Sequence, residues 1–287
     1  MNYRHAFHAG NFADVLKHVL LRELIRAMQR KPKPFLLLDT HAGRGRYHLA
    51  QAGAGGRVAE WPEGIGRLWE AGGLLPPLAD YVAAVREYNR SCGAGAAELR
   101  FYPGSPLHAL QLMRADDRCA FCELQPEEAD ALERECTGRR KARVHRSDGF
   151  GAPRAMLPPL EKRALVLIDP PFEAADEMKR VAGAVEEGLR RSPAAVFVIW
   201  YPVTGRASTA PLFLPLREKR LAPTLVAELR VRSDGAEVGL GGCGLAILNP
   251  PWQFDTAIRP VLAELARLLA LDAEAAFRLD WLVPESK

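Results

Sequence analysis

Short apolar runs recur along this chain, and they constrain its fold more than any other feature. They lie at 35–39, 118–124, 163–172 and 194–203, with two later runs at 225–231 and 244–252. A wholly apolar run such as FLLL is consistent with a strand that is buried on both faces. Helical patterns separate the runs, including one at 12–31 that Asn11 can cap. Strands that alternate with helices predict an α/β fold with a mostly parallel, doubly wound sheet.

One segment, residues 52–98, has a different texture. Breaks rich in Gly, Ala and Pro surround two amphipathic pieces, EGIGRLWEAG and LADYVAAVREYN. This pattern predicts a small helical insertion at 52–98. The main domain would then comprise residues 1–51 and 99–287.

The composition is that of an ordinary globular protein, with 48% hydrophobic and 26% charged residues. No apolar run reaches the length of a membrane-spanning helix, and the N-terminus lacks the apolar core of a secretory signal. The five cysteines are an odd number, which without a signal favours reduced thiols in a cytosol. We therefore expect a cytoplasmic protein without a membrane partner. The net charge of +4 permits a nucleic-acid partner but does not require one.

Acidic residues stand where successive strands are predicted to end. They are Asp39, Glu123, Asp148 and Asp169. Open α/β sheets bind ligands at the carboxyl ends of their strands, where a carboxylate can accept hydrogen bonds from ribose hydroxyls. Asp148-Gly149 can bind the edge of an adenine, and Asp39 precedes a Gly43-x-Gly45 turn. Each feature alone also fits a helix cap or a plain turn, but together they favour a nucleotide-like ligand. The turn lacks the third glycine of a dinucleotide site, and the chain contains no P-loop motif.

The fourth strand ends in Asp169-Pro-Pro-Phe172, which would form a rigid corner because each proline fixes one φ angle and removes one donor. The Asp169 carboxylate and the Pro170 carbonyl can each accept a hydrogen bond from an exocyclic amine. The Phe172 ring can stack on the base that carries the amine. A plain turn is the alternative interpretation. A second copy of the pattern, Asn-Pro-Pro-Trp at 249–252, is disfavoured because the last strands are expected at one edge of the sheet, away from the switch point.

A metal site is the less favoured interpretation of the cysteines. Cys119, Cys122, Cys136 and His145 could supply four zinc ligands. However, three-residue spacing within a strand directs Cys119 and Cys122 to opposite faces, so no metal is predicted.

The N-terminal segment YRHAFHAGNFADVLKH crowds rings and positive charge around the start of the first helix. Its polar residues are Tyr3, Arg4, His5, His8, Lys17 and His18. They form either a solvated face, or a lid or substrate platform that carries both rings and positive charge. The basic run at 138–146 is interpreted as a solvated loop that could touch phosphates.

The motifs YRHAFHAGNFADVLKH, LDTHAG, YPGSP, DGF and LIDPPF, in this order, resemble the RlmJ-type 23S ribosomal RNA adenine-N6 methyltransferases. The resemblance covers nearly the whole chain and includes EGIGRLW and the C-terminal NPPW. It implies a Rossmann-like class I methyltransferase fold that binds S-adenosylmethionine. It also implies methyl transfer to N6 of one adenine of 23S rRNA, adenine 2030.

The resemblance also assigns roles to residues. Those implied to contact the cofactor are His18, His41, Ser105, Glu123, Asp148 and Gly149. Asp169 is implied to be the catalytic acceptor at the target amine, Tyr3 to reach the RNA, and Lys17 to help on the substrate side. This chain departs from the family pattern at Phe172, where relatives often carry Tyr, and at His41, where a glycine is commoner.

Two other kinds of function remain open from the sequence. The same chemistry could act on adenine in DNA or another RNA, or on a glutamine amide in protein. A non-catalytic RNA-binding module on the same fold is the alternative of a different class. A DNA enzyme would usually carry a further recognition domain, for which the insertion is small. We expect a monomer whose partner is 23S rRNA.

Overall fold

The structure is a computed structural model, and it describes residues 7–52, 58–95, 97–174, 176–203, 209–233 and 240–285. The strands are β1 (Leu36–Asp39), β2 (Arg46–His48), β3 (Phe101–Pro103), β4 (Arg118–Cys122), β5 (Ala142–His145), β6 (Ala164–Ile168), β7 (Val196–Val203), β8 (Thr224–Arg230), β9 (Gly242–Leu248) and β10 (Ala276–Val283). The helices are α1 (Phe12–Gln29), α2 (Ile65–Trp69), α3 (Pro76–Ser91), α4 (Ser105–Leu112), α5 (Pro126–Glu135), α6 (Ala152–Met156), α7 (Glu177–Arg191), α8 (Ala210–Glu218) and α9 (Phe254–Leu268).

Eight strands form one sheet in the order β10-β8-β9-β7-β6-β1-β4-β5. The five strands from β7 to β5 are parallel, whereas β9 is antiparallel to β7 and β8, and β10 is antiparallel to β8. The predicted α/β fold with a mostly parallel sheet is therefore confirmed. After β1 the chain adds β4 on one side and later β6 on the other, so the topological switch point lies at β1.

The sheet separates two hydrophobic cores, because successive side chains of a strand point to opposite faces. Helices α1, α3 and α9 contribute to the core on one face, and α6, α7 and α8 to the core on the other. Cys119 belongs to the first core and Cys122 to the second, as their spacing predicts, so the two cannot share a metal ion. Within the described ranges, no group of three or more His, Cys, Asp and Glu side chains could hold a metal ion.

Helix α1 is buried along almost its whole length, which is unusual for a helix on the face of a sheet. The Asn11 side chain caps it, as predicted, by accepting hydrogen bonds from the backbone N–H groups of Ala13 and Asp14, both at 3.0 Å. The helix ends at Gln29, two residues before the predicted boundary and just before the KPKP segment. Four polar residues of the helix, Asp14, Lys17, His18 and Arg22, are buried.

Helices α2 and α3 occupy the segment that was predicted to be a helical insertion. Their buried side chains, including Leu68, Tyr81 and Val85, join the same core as α1. The division of the chain at 52–98 remains a prediction. None of the helices that the structure describes has the length and apolar character to cross a membrane.

Candidate active site

Four acidic residues follow neighbouring strands at one edge of the sheet. The strands β6, β1, β4 and β5 are adjacent and parallel, so Asp169, Asp39, Glu123 and Asp148 follow their carboxyl ends in that spatial order. At about 4.8 Å per strand, the row spans roughly 14 Å. This arrangement confirms that the strand-end acids predicted from the sequence share one edge.

The turn after β1 is organised around the Glu123 carboxylate. Its Oε2 accepts a hydrogen bond from the backbone N–H of Gly43 at 2.9 Å, and its Oε1 accepts one from that of Gln125 at 2.7 Å. Gly43 has a φ of +63°, and a Cβ there would lie 2.3 Å from the Tyr47 hydroxyl. The two backbone donors fix Glu123 at the strand end, and each carboxylate oxygen keeps a second lone pair for another donor.

Gly149 marks the closest approach of two backbone segments at this edge. A Cβ on Gly149 would lie 1.7 Å from the carbonyl oxygen of Thr40, so no larger residue fits without a backbone shift. Asp148 stabilises the turn, since its Oδ1 accepts the Phe150 N–H at 3.0 Å and its Oδ2 accepts the Arg180 guanidinium at 2.6 Å. The Arg180 guanidinium also lies 3.9 Å from the Phe150 ring centroid.

His41 lies beside this turn, with its ring centroid 4.8 Å from that of Phe150 in an edge-on arrangement. Burial lowers the pKa of His41 to about 4, although Asp169 and Asp148 act in the opposite direction. The imidazole is therefore neutral at pH 7.

Asp169 forms an ion pair with a lysine from the first helix. Lys17 Nζ lies 2.6 Å from Asp169 Oδ2 and 2.8 Å from Asp14 Oδ1. The Lys17 side chain is only 6% exposed, and those of Asp14 and Asp169 are 2% and 16% exposed. Burial acts to lower the pKa of Lys17, but the two carboxylates outweigh it and raise the pKa well above its ordinary value. Lys17 is thus a fixed cation at the end of β6.

Asp39 lies next to this pair and has no exposed surface. Its Oδ2 accepts a hydrogen bond from the Ser105 hydroxyl at 2.6 Å, and its Oδ1 accepts one from the backbone of His41 at 3.3 Å. Burial raises the pKa of Asp39 to about 7, against the lowering effect of the Ser105 hydrogen bond. Ser105, at the start of α4, therefore contacts the first strand end directly.

The corner after β6 holds a buried Pro170 and a half-buried Phe172. Phe172 has a φ of +51°, which turns the chain sharply. Its ring centroid lies 5.8 Å from that of Trp200 on β7. The two rings form an aromatic wall next to Asp169.

His18 differs from the other predicted site residues, since it has no exposed surface. Its Nδ1 lies 2.7 Å from the Tyr102 hydroxyl, and its ring centroid lies 4.7 Å from that of His108. The predicted contact between His18 and the cofactor remains a prediction. Tyr3, Arg4 and His5 lie outside the described residues.

The order of the strands corrects one expectation about the second proline corner. The late strands β8, β9 and β10 lie together at one end of the sheet, away from β1, as expected, but β9 lies between β7 and β8 and is not the edge strand. Because β9 is antiparallel to β7, its carboxyl end lies at the amino ends of the parallel strands, opposite to Asp169. The preference for Asp169 rests on strand direction.

The family model for ribosomal RNA large subunit methyltransferase D, RlmJ, matches residues 32–283. The chain belongs to the RlmJ family. Two relatives named ribosomal RNA large subunit methyltransferase J, from Haemophilus influenzae and Escherichia coli K12, are each 38% identical to it over 285 residues. The alignment covers 99% of this chain and 100% of each relative. A crystal structure of a Legionella pneumophila protein has a TM-score of 0.86 at 33% identity, and the match covers 96% of this chain and 98% of that one.

In this RlmJ family member, the doubly wound sheet with its switch point at β1 has the Rossmann-like arrangement that was predicted. The sequence reasoning missed Asp14, which shares Lys17 with Asp169, and Arg180, which holds Asp148. Asp14 is three residues before Lys17 on a helix, a spacing that places the two on one face and could have been noticed. Arg180 had no comparable signal, because its position depends on how α7 packs.

Proposed function

We propose that this protein transfers a methyl group from S-adenosylmethionine to the exocyclic N6 of an adenine in 23S ribosomal RNA, at position 2030 as the resemblance implies. The observation that carries the proposal is the Asp169-Pro-Pro-Phe corner at the switch point, with Lys17 held against the carboxylate. The names of the 38% identical relatives support the ribosomal RNA substrate. The proposed partner is the large-subunit RNA, the proposed location is the cytoplasm, and the proposed oligomeric state is a monomer.

The residues beyond β1, β4 and β5 fit S-adenosylmethionine. Glu123 has two carboxylate oxygens fixed by backbone donors, which suits the two hydroxyls of a ribose. The Asp148-Gly149 turn packs against Thr40 at the end of β1, and we assign it to the adenine edge of the cofactor. The neutral His41 and the Ser105 hydroxyl would complete the binding site. When bound, the cofactor supplies an electrophilic methyl group on a sulfonium.

Asp169 would orient the target amine. Lys17 occupies Oδ2 of this carboxylate, so we assign Oδ1 to an N–H of the adenine amine and the Pro170 carbonyl to the other N–H. Phe172 would stack on the base, which must leave its own stack at a cost of a few kcal/mol or less in a loop. Holding the nitrogen in line with the methyl carbon supplies much of the rate.

The proton is lost late in this scheme. The amine of adenine is scarcely basic, so the nitrogen releases a proton only as its bond to the methyl carbon forms. Asp169 would accept that proton and pass it to solvent. Lys17 holds the carboxylate of Asp169 in position, because its ammonium lies 2.6 Å from Oδ2.

The test is Asp169→Ala, with methylation measured by mass spectrometry of 23S rRNA fragments and cofactor affinity measured by calorimetry. We expect at least about a 10²-fold loss of transfer and a cofactor Kd within threefold of the wild type. Glu173→Ala, which removes an exposed acid from the same loop, is the matched control and should retain transfer.

Unimpaired turnover in Asp169→Ala would overturn the assignment. Loss of a fragment's methylation in cells without this protein would support the RNA substrate. Absence of cofactor binding in the wild type would favour the non-catalytic RNA-binding module.

A further inference from the structure

The second proline corner, Asn249 to Trp252, lies at the edge of the sheet opposite the candidate active site. Leu248 of β9 pairs with Phe197 of β7, whereas Ile168 of β6 pairs with Ile199. The two corners are therefore about four residues apart along the strands and two strands apart across the sheet, which is roughly 15 Å. The proposed chemistry leaves this second corner unexplained.

The backbone of this corner is held in an unusual conformation. Asn249 and Gln253 have φ values of +51° and +57°, a left-handed region that asparagine tolerates but that glutamine seldom adopts. The Asn249 side chain donates hydrogen bonds to the carbonyls of Pro193 at 2.8 Å and Ala195 at 3.0 Å, and its backbone N–H donates to Pro223 at 2.8 Å. Such conformations persist where surrounding contacts over-determine them, and they cluster at ligand sites.

The corner presents a tryptophan to solvent. Trp252 is 72% exposed, whereas the other four tryptophans are buried or half-buried. Single exposed apolar residues are common on proteins. Here, however, the ring stands on a segment fixed by three hydrogen bonds and flanked by two left-handed residues, which limits the conformational freedom lost when a ligand stacks on it.

Positive charge lies beside the ring. Arg30, at the end of α1, donates a hydrogen bond to the Trp252 carbonyl at 3.5 Å, and the exposed Lys31 and Lys33 follow it. The Arg30–Lys33 segment is held in place by the guanidinium groups of Arg114 and Arg163, which donate hydrogen bonds to its backbone carbonyls. In the part of the chain that the structure describes, Arg30, Lys31 and Lys33 form no ion pair.

The acid nearest to Trp252 along the chain is Asp255, in the first turn of α9. Because the three cations Arg30, Lys31 and Lys33 outnumber this one acid, the Arg30–Lys33 segment and the Trp252 corner together carry a net positive charge. An exposed aromatic ring beside unpaired cations matches the requirements of single-stranded nucleic acid, which offers a base to stack and phosphates to neutralise.

We propose that Trp252 and the cations Arg30, Lys31 and Lys33 form a second contact for the RNA substrate. The ring stacks on an unpaired base, and the cations contact the adjoining phosphates, while the target adenine enters the cleft at Asp169. The inference rests on the proposed function, because it assigns the same RNA to both edges of the sheet. It predicts that a fragment long enough to reach both edges binds more tightly than the isolated target stem-loop.

The experiment compares Trp252→Ala and Trp252→Phe on two RNAs, a long 23S fragment and a stem-loop of minimal length. We expect Trp252→Ala to raise KM for the long fragment about 5- to 150-fold, the range measured for loss of one base–aromatic stack, without changing kcat. The stem-loop should be unaffected, and Trp252→Phe should remain near the wild type. Leu214→Ala, which removes another exposed apolar side chain, is the matched control.

The cations have a separate readout. Lys31→Gln combined with Lys33→Gln should reduce the slope of log binding constant against log salt by about 1.5 for the long fragment. The control removes two exposed arginines that are paired with glutamates, Arg90→Gln with Arg267→Gln, and should leave the slope unchanged.

Wild-type KM for Trp252→Ala on the long fragment would overturn the proposal, and so would an equal loss on both RNAs. The proposal would also be overturned if Trp252→Ala bound RNA like the wild type but no longer bound isolated ribosomal proteins or anionic vesicles. Either result would identify another occupant. RNA binding is followed by quenching of tryptophan fluorescence as well as by turnover. The proposal can therefore succeed or fail even if the wild type methylates no RNA.

Discussion

Removing the Lys17 cation gives the sharpest test of the electrostatics at this site. In the variant Lys17→Met, the aliphatic stem is kept and the ammonium is lost. The Asp14 and Asp169 carboxylates, which lie 2.8 Å and 2.6 Å from Nζ, then lose the cation that they share. Asp14 is almost fully buried and gains no water in exchange.

The expected cost follows from that burial. Removing one partner of a buried ion pair typically costs about 3–5 kcal/mol, and here two carboxylates lose the same partner. For a chain of this size, that loss of unfolding free energy lowers Tm by roughly 10 °C. An exposed pair would cost less than about 1 kcal/mol, so the measurement distinguishes the two situations.

The pH dependence of the unfolding free energy tests the direction of this electrostatic effect. In the wild type the folded-state pKa of Lys17 is raised, so its stabilisation is fully present below pH ~10.5 and is lost as the pH rises through the raised value. In the variant the two carboxylates lack their shared cation, and protonation of a carboxylate relieves part of that loss. The extra destabilisation is therefore present at pH 7 and shrinks as the pH falls towards ~4.

Urea unfolding of variant and wild type at pH 7 and pH 5 measures both effects. The double variant Lys17→Met with Asp14→Asn should recover part of the loss, since it removes one of the two negative charges and keeps an oxygen acceptor for the Gly10 N–H. A loss below about 1 kcal/mol at pH 7 would refute the reasoning. So would a loss of equal size at both pH values.

Three further variants test other parts of the site. Gly149→Ala should lose about 1–3 kcal/mol or more of unfolding free energy and bind cofactor poorly, because its Cβ would lie 1.7 Å from the Thr40 carbonyl oxygen. The control Gly151→Ala has open space around its Cβ and should behave as wild type. Chemical denaturation measures the stability of both variants, and calorimetry measures their cofactor binding. Phe172→Ala should raise KM for RNA about 5- to 150-fold in steady-state kinetics, and Phe172→Tyr should not. The pKa of Asp39 is raised to about 7, so the unfolding free energy of the wild type falls as the pH rises from ~4 through 7. In urea unfolding, the free energy of Asp39→Asn should therefore exceed that of the wild type by about 2–4 kcal/mol at pH 8 and by little at pH 4. Equal stability of those two proteins at pH 8 would show that Asp39 is not desolvated.

The contrast between the two proline corners shows where pattern reasoning stops. Asp169-Pro-Pro-Phe172 and Asn249-Pro-Pro-Trp252 follow similar apolar strands, and both place a residue in the left-handed region, Phe172 and Asn249. Only strand direction separates them, since β6 is parallel to β1 and β9 is antiparallel to β7. Direction is not written in an apolar run, because either orientation buries the same side chains.

The sequence by itself determined the buried strands, the helices between them and the acids at the strand ends, because burial on both faces requires continuous apolar runs and prolines stop them. It also determined the cap of α1 at Asn11 and the separation of Cys119 from Cys122, both of which follow from local geometry. Only the tertiary structure brought Lys17 to Asp169, 152 residues away along the chain. It alone placed His18 out of contact with solvent and Trp252 at the far edge. The reason is physical: spacing along the chain fixes which side of an element a residue occupies, whereas the partner across a core depends on how distant elements pack.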